Sequence, residues 1–227
     1  MDLSPLFISL QTATAATAVA FFPGILAARW LAHTPGGKIK SLVDGLLIMP
    51  MLLPPTVVGF LLLLVFGSRG LLGRVLTEWG IPVVFTWYGA AIAAAVVAFP
   101  LMYRTARGAF EQVDPDLPDA ARTMGASEWS LFWRVILPLS WPGVTAGIIL
   151  SFARALGEFG ATLMMAGNIP GKTQTMPIAI YFAVEGGKRD VALVWTLLMI
   201  AVSTASVLAL NYWSYRRQNF FTHSRVG

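Results

Sequence analysis

Leu3-Ser-Pro-Leu-Phe-Ile-Ser-Leu-Gln-Thr-Ala-Thr-Ala-Ala-Thr-Ala-Val-Ala-Phe-Phe-Pro-Gly-Ile-Leu-Ala-Ala28 runs for 26 residues without a charged side chain. The hydrocarbon core of a bilayer is about 30 Å thick, so roughly 20 apolar residues of helix cross it. This run is too long for the apolar core of a secretory signal, and no basic residue precedes it. It reads as a spanning helix. Four more uncharged runs follow, from Gly45 to Ser68, Trp79 to Tyr103, Val135 to Ala153 and Val191 to Tyr215. The pattern predicts an all-α integral membrane protein of about five transmembrane helices, folded as one domain over residues 1–227. A β-barrel is excluded, because the segments are continuous apolar runs and not alternating strands of about ten residues.

Composition leads to the same solvent. Of the 227 residues 56% are hydrophobic and only 12% charged, with a mean hydropathy of +0.70. A soluble domain carries about 25% charged residues. The 16 Lys and Arg against 11 Asp and Glu give a net charge of +5, but they are scattered between apolar runs, so no nucleic-acid partner is expected. Cysteine is absent, and the two histidines, His33 and His223, stand far apart in sequence. Neither a metal site nor a cofactor is expected from such a set.

Lysine and arginine orient the spans. Arg29, Lys38, Lys40, Arg104, Arg107, Arg122, Arg134, Arg216, Arg217 and Arg225 fall on one side, against Arg69, Arg74, Lys172, Lys188 and Arg189 on the other. The bias predicts an external N-terminus and a cytoplasmic C-terminus. Two segments between spans exceed a tight turn: a cytoplasmic one over 104–141 and an external one over about 167–190.

The cytoplasmic segment contains Asp114-Pro-Asp-Leu-Pro-Asp-Ala-Ala-Arg-Thr-Met-Gly-Ala-Ser-Glu-Trp-Ser-Leu-Phe-Trp-Arg-Val-Ile-Leu-Pro138. Asp116 is placed to cap a short helix with Pro118 and Asp119 in its first turn. Gly125 ends it, Ser127 and Glu128 open a second helix, and Pro138 is expected to break the chain at the membrane surface. Physical reasoning alone leaves two readings open, an interfacial hairpin with aromatic anchors or a rigid cytoplasmic knob.

The spacing Asp119-Ala120-Ala121, three residues, Gly125, nine residues, Val135, one residue, Leu137-Pro138 resembles the EAA loop of bacterial ABC importer permeases. Asp119 replaces the Glu of that pattern and Val135 replaces the Ile. Met49-Pro-Met-Leu-Leu-Pro-Pro-Thr-Val-Val-Gly59, Ala153-Arg-Ala-Leu-Gly-Glu-Phe-Gly-Ala-Thr162 and the stretch from Ala166 to Tyr181 resemble the molybdate branch, with sulfate and tungstate permeases as relatives. The resemblance implies a type I importer fold and a coupling helix that docks into a separate cytoplasmic ATPase dimer. Asp119, Ala120, Ala121, Gly125, Leu137 and Pro138 are then the coupling positions. It also implies an extracytoplasmic oxyanion-binding protein as partner and a location in the bacterial inner membrane.

Ala166-Gly-Asn-Ile-Pro-Gly-Lys172-Thr173 fits a loosened phosphate-binding loop, but such a loop follows a buried strand and opens a long helix. Here it follows a membrane span and meets Pro177, so ATP hydrolysis is expected on another subunit. Arg154 and Glu158, four apart, fall near mid-membrane, where an isolated charge costs at least about 2.5 kcal/mol. Two roles stay open for them: a self-neutralising structural pair with a gating role, or residues lining a water-filled path. Asn168, Thr173 and Thr175, with Lys172 and Gln174, are expected to form an external gate or docking surface. Pro23-Gly24 and Pro50, Pro54 and Pro55 are expected to interrupt the first and second spans. Five helices make a poor conduit alone, so a second copy of the chain is expected. A secondary transporter or channel is the competing class. A membrane enzyme is disfavoured, because no span carries a catalytic set.

Overall fold

The computed structural model describes residues 2–223, with side chains as far as residue 212. Of the basic residues used for orientation, Arg225 lies outside the described residues, and the side chains of Arg216 and Arg217 lie outside them as well. The elements are α1 (Ser4–His33), α2 (Lys38–Leu52), α3 (Pro55–Phe66), α4 (Gly73–Glu78), α5 (Trp87–Glu111), α6 (Asp116–Thr123), α7 (Glu128–Leu131), a π turn (Phe132–Ile136), α8 (Leu137–Leu156), α9 (Gly160–Ala166), α10 (Met176–Glu185) and α11 (Arg189–His223). Every regular element among the described residues is helical.

Four helices are long and apolar enough to cross a membrane unaided: α1, α5, the continuous Glu128–Leu156 helix formed by α7, the π turn and α8, and α11 over Arg189–Tyr212. The fifth expected span is not a straight helix. α2 and α3 meet at 108° across Leu53 and Pro54. Pro55 opens α3 at its first position, and the residue before a proline is forced out of the helical region, so the break falls where Pro54 and Pro55 adjoin. Pro23 and Pro50 interrupt nothing, since both lie inside helices that continue through them.

Side-chain packing gives each helix its direction. Ile25, Ala28 and Leu31 of α1 share a cluster with Tyr103, Ala106 and Phe110 of α5 and Ile136, Leu137 and Val144 of the α8 helix. At the other end Ala13 and Ala16 meet Ala94, Ala95 and Ala98, together with Ala155 and Leu156. α1 and α5 therefore run parallel and α8 runs against them. Parallel neighbours require the chain to return between them, and the bent pair does so. Val43, Leu47 and Ile48 of α2 pack at the Tyr103 end of α5, whereas Leu62, Leu63 and Phe66 of α3 pack with Tyr88 at its beginning. The broken pair thus makes one crossing, for five in all.

Small residues set the close contacts. Ala94, Ala95 and Ala98 line the α1–α5 seam with Ala13 and Ala16, and Ala93 packs with Val58 and Ala161 of α3 and α9, so this alanine surface is spent within the subunit. Gly143 and Gly147 likewise face Ala109, Met102 and Thr105 of α5. Another close approach joins α3 to α9. A Cβ added at Gly59 would sit 2.7 Å from Met164 Cβ and 2.8 Å from Ala161 Cα, where backbone cannot yield cheaply. Gly59→Leu is expected to destabilise the fold by about 1–3 kcal/mol through overpacking. Thermal unfolding of the purified protein in detergent would read this, and an unchanged transition would refute the α3–α9 contact.

Candidate functional site

The segment resembling the EAA loop forms two short helices joined at a glycine elbow, close to the expected shape but with two corrections. Asp116 is the first helical residue of α6, not its cap. The preceding Asp114 carboxylate accepts the Asp116 N–H at 3.0 Å, a local turn that aspartate before proline favours. Pro138 does not break the chain, because the π turn over Phe132–Ile136 widens the helix ahead of it and relieves the clash of the proline ring with the carbonyl four residues back. Gly125 does terminate α6, with φ at +82°, a left-handed conformation that glycine adopts without strain. Ser127 caps the next helix by accepting the Ser130 N–H at 3.3 Å.

Charge locks the elbow. Arg122 donates from Nε to Glu128 Oε1 at 2.7 Å and from Nη1 to Asp119 Oδ1 at 2.6 Å, so one guanidinium ties α6 to α7 across Gly125. Donation to Glu128 first and to Asp119 second raises the Arg122 pKa above the ordinary arginine value. The knob is fastened to the bundle by Arg29 at the end of α1. Its Nη2 donates to the Glu128 carbonyl at 3.2 Å, and its guanidinium carbon lies 4.3 Å above the Phe132 ring. Ala121 is buried beneath the knob, whereas Asp119 and Ala120 face outward with Leu117 and Met124, the last 83% exposed. Leu137 is buried in the bundle and Pro138 is exposed. Glu128 and Arg29, which organise the knob, were not among the residues singled out from sequence. A carboxylate six positions after an arginine across a glycine turn was the available signal.

Arg154 and Glu158 do pair, with Nη1 to Oε2 at 2.7 Å, but not on one helical face. α8 ends at Leu156, and Glu158 occupies the break before α9. Its second oxygen, Oε1, accepts the Ala161 N–H at 2.8 Å, so the one buried carboxylate both neutralises Arg154 and fastens the first turn of α9. The two helix breaks face one another. Gly160 packs on Pro55 and Thr56, placing the break that precedes α9 against the break between α2 and α3.

The expected external surface is mostly interior. Thr173 and Thr175 are buried, and the Thr173 hydroxyl accepts the Ile169 N–H at 3.1 Å to shape a tight turn. Asn168 is half-buried and accepts from the Gln174 amide at 2.8 Å. Lys172 is exposed. The Met176 N–H donates to Ser9 Oγ at 2.8 Å, which ties α10 to α1. The stretch resembling a phosphate-binding loop is thus a turn between two short helices, with no strand before it.

A further polar cluster escaped the sequence reading. Tyr103 donates to Asp44 Oδ1 at 2.7 Å, and Arg107 reaches Asp44 at 2.9 Å, the Tyr103 oxygen at 3.0 Å and Glu111 at 2.8 Å. It fastens α2, which buries no residue of its own, to the end of α5 that leads into the knob. No cluster of three or more possible metal ligands occurs among the described residues.

Comparison with known proteins gives this arrangement its context. The chain is 46% identical over 181 residues to the molybdenum transport system permease protein ModB of Escherichia coli (strain K12), covering 78% of each. It is 41% identical over 220 residues to ModB of Haemophilus influenzae, covering 96% of each. It is 35% identical over 172 residues to the sulfate transport system permease protein CysT of Escherichia coli, covering 76% of this chain and 62% of that one. Among solved structures it shares the fold of a bacterial ABC transporter involved in the import of alginate, at a TM-score of 0.76 and 18% identity, covering 94% of this chain and 79% of that one. The inward-facing MetNI methionine ABC transporter is similar at a TM-score of 0.72 and 15% identity, covering 93% and 94%. These relatives are transport subunits and not enzymes, and in such systems the ATPase is a separate chain. With residues 23–220 matching the family described as the inner membrane component of binding-protein-dependent transport systems, the chain belongs to that family of ABC importer permeases.

Proposed function

We propose that this chain is the membrane-spanning subunit of an ATP-driven oxyanion importer, with molybdate as its cargo. The observation that carries the reading is the knob over α6 and α7, braced internally by Arg122, pinned to α1 by Arg29, and presenting Leu117, Ala120 and Met124 outward at the end of the bundle. A rigid body that exposes apolar side chains and is bolted to the transmembrane helices transmits a push; a loose hairpin would absorb it. Asp119, Ala120, Ala121 and Gly125 form this coupling element, with Leu137 and Pro138 at its root. The 104–141 segment faces the cytoplasm, the N-terminus lies outside, and residues 1–227 act as one transmembrane domain.

Two copies of the chain enclose the path, each seated on one subunit of an ATPase dimer. ATP binding closes the ATPases, the knobs move together, and the copies rock so that the cavity opens outward to an extracytoplasmic binding protein loaded with anion. Hydrolysis returns the cavity inward. Arg154 and Glu158 act at the facing helix breaks, where a change of angle opens or closes the path. The turn bearing Asn168, Thr173 and Thr175 braces the outer gate. Molybdate is favoured because the relatives named for molybdenum transport match at 38–46% identity, against 33–35% for the sulfate permeases.

The test is uptake of radiolabelled molybdate into proteoliposomes bearing the permease with and without its ATPase, with the binding protein supplied outside. Uptake only with ATPase and ATP is expected, with competition by tungstate and weaker competition by sulfate. Uptake by the permease alone would make the chain a secondary transporter or channel.

A further inference from the structure

A cavity of about 640 Å³ opens between the knob end of α5 and the beginning of α8, and of its lining residues only Leu117 belongs to the outward face of the knob described above. Arg104 and Thr105 of α5, with Gln112 just past its end, line one wall, Gly143 of α8 lies opposite, and Asp114 and Leu117 stand at the edge where α6 begins. Arg104 is exposed, and among the described residues it makes no hydrogen bond or ion pair. Its neighbours are committed: Arg107 to Asp44, Tyr103 and Glu111, Arg122 to Asp119 and Glu128, and Arg154 to Glu158. Asp44 is near enough to feel the charge of Arg104 without bonding to it.

We propose that this cavity is a release site for the transported oxyanion, held by the Arg104 guanidinium with donors from Thr105 and Gln112. The inference rests on the oxyanion reading above and adds an anion contact to it. A guanidinium presents paired N–H groups that match two oxygens of a tetrahedral anion, and one without a protein partner has its full donor set available. Eleven residues of α8 separate Gly143 from Arg154, a rise of roughly 16 Å, so the cavity lies at the knob end of the bundle and the Arg154–Glu158 pair at the other. The Asp114 carboxylate at the rim opposes tight binding, even though one of its oxygens accepts the Asp116 N–H. Weak retention suits a site from which cargo must leave.

The chemistry recognised is a tetrahedral oxyanion, which a lipid phosphate also supplies, so the test separates the two. The chain has no cysteine, so Leu139→Cys on the cavity wall places a single thiol in it. In the nucleotide-free permease–ATPase complex in phosphatidylcholine nanodiscs, millimolar sodium molybdate is expected to slow maleimide labelling of that thiol at least threefold, while sodium chloride of equal ionic strength does not. Adding Arg104→Gln is expected to remove the protection and Arg104→Lys to keep part of it. Absence of protection, or protection indifferent to Arg104→Gln, overturns the proposal. If phosphatidylglycerol alone slows labelling and molybdate adds nothing, the ligand is a lipid phosphate and the cargo assignment falls. Molybdate uptake by the wild-type complex is measured in parallel. Its failure would overturn the importer reading, whereas normal uptake without protection would overturn only the release site.

Discussion

Glu158→Ala is expected to cut ATP-driven molybdate uptake at least tenfold and to lower the thermal stability of the purified complex. Glu158 is 2% exposed, and its carboxylate serves two buried partners, the Arg154 guanidinium and the Ala161 N–H. Breaking a buried ion pair by removing one member costs about 3–5 kcal/mol, because the other charge stays behind without compensation. The Arg154 side chain keeps 33% exposure, so the low end, about 3 kcal/mol, applies. Glu158→Gln keeps an acceptor for the Ala161 amide but removes the charge, and its stability should fall between the two. The double substitution Arg154→Met with Glu158→Leu separates the two roles left open by the sequence. Apolar replacement of both partners is expected to restore much of the stability. If uptake returns as well, the pair is purely structural; if the protein is stable but uptake stays lost, the charges serve the path. Wild-type uptake by Glu158→Ala would remove the pair from the mechanism.

Asp119→Arg should have the opposite signature: little change in stability and a loss of coupling. Asp119 is 70% exposed on its side chain and its partner Arg122 40%, so the ion pair contributes no more than about 1 kcal/mol. The substitution sets a second cation beside Arg122, leaves the Arg122–Glu128 pair across Gly125 in place, and reverses the charge presented by the outer face of α6. Uptake is expected to fall at least tenfold while the thermal transition moves by no more than a few degrees. ATP hydrolysis should persist but lose its stimulation by loaded binding protein. Gly125→Val is a companion, since its φ of +82° costs a β-branched residue roughly 1–2 kcal/mol and should tilt α6 relative to α7. Asp119→Arg with unchanged, ATP-stimulated uptake would remove the coupling role from α6.

The membrane class, the number of crossings and the two short helices either side of Gly125 were legible in one dimension because each rests on local physics. Uncharged runs of about 20 residues admit one solvent, and Gly125 followed by Ser127 carries the stop and start signals of two helices. The α2–α3 bend was only half legible. Adjacent Pro54 and Pro55 marked a break, but the 108° angle depends on where Val43 and Phe66 find partners along α5. Pro138 misled because a proline reads as a helix end unless the preceding turn widens, and the register of a π turn has no clear signal in composition.

Contacts distant in sequence belonged to the tertiary structure alone. Arg29 over Phe132, Asp44 beside Tyr103 and Arg107, and Gly160 against Pro55 join residues about 60 to 105 positions apart, which no spacing rule connects. Burial of Thr173 and Thr175 was likewise decided by packing, which turned an apparently polar external stretch into an inner turn. The sequence by itself determined the solvent, the crossings and the helix–glycine–helix element over 116–131, because hydropathy and turn chemistry act over a few residues. Only the tertiary structure decided which distant charges pair and which breaks face each other, because those outcomes depend on how parallel and antiparallel helices bring remote side chains to one level.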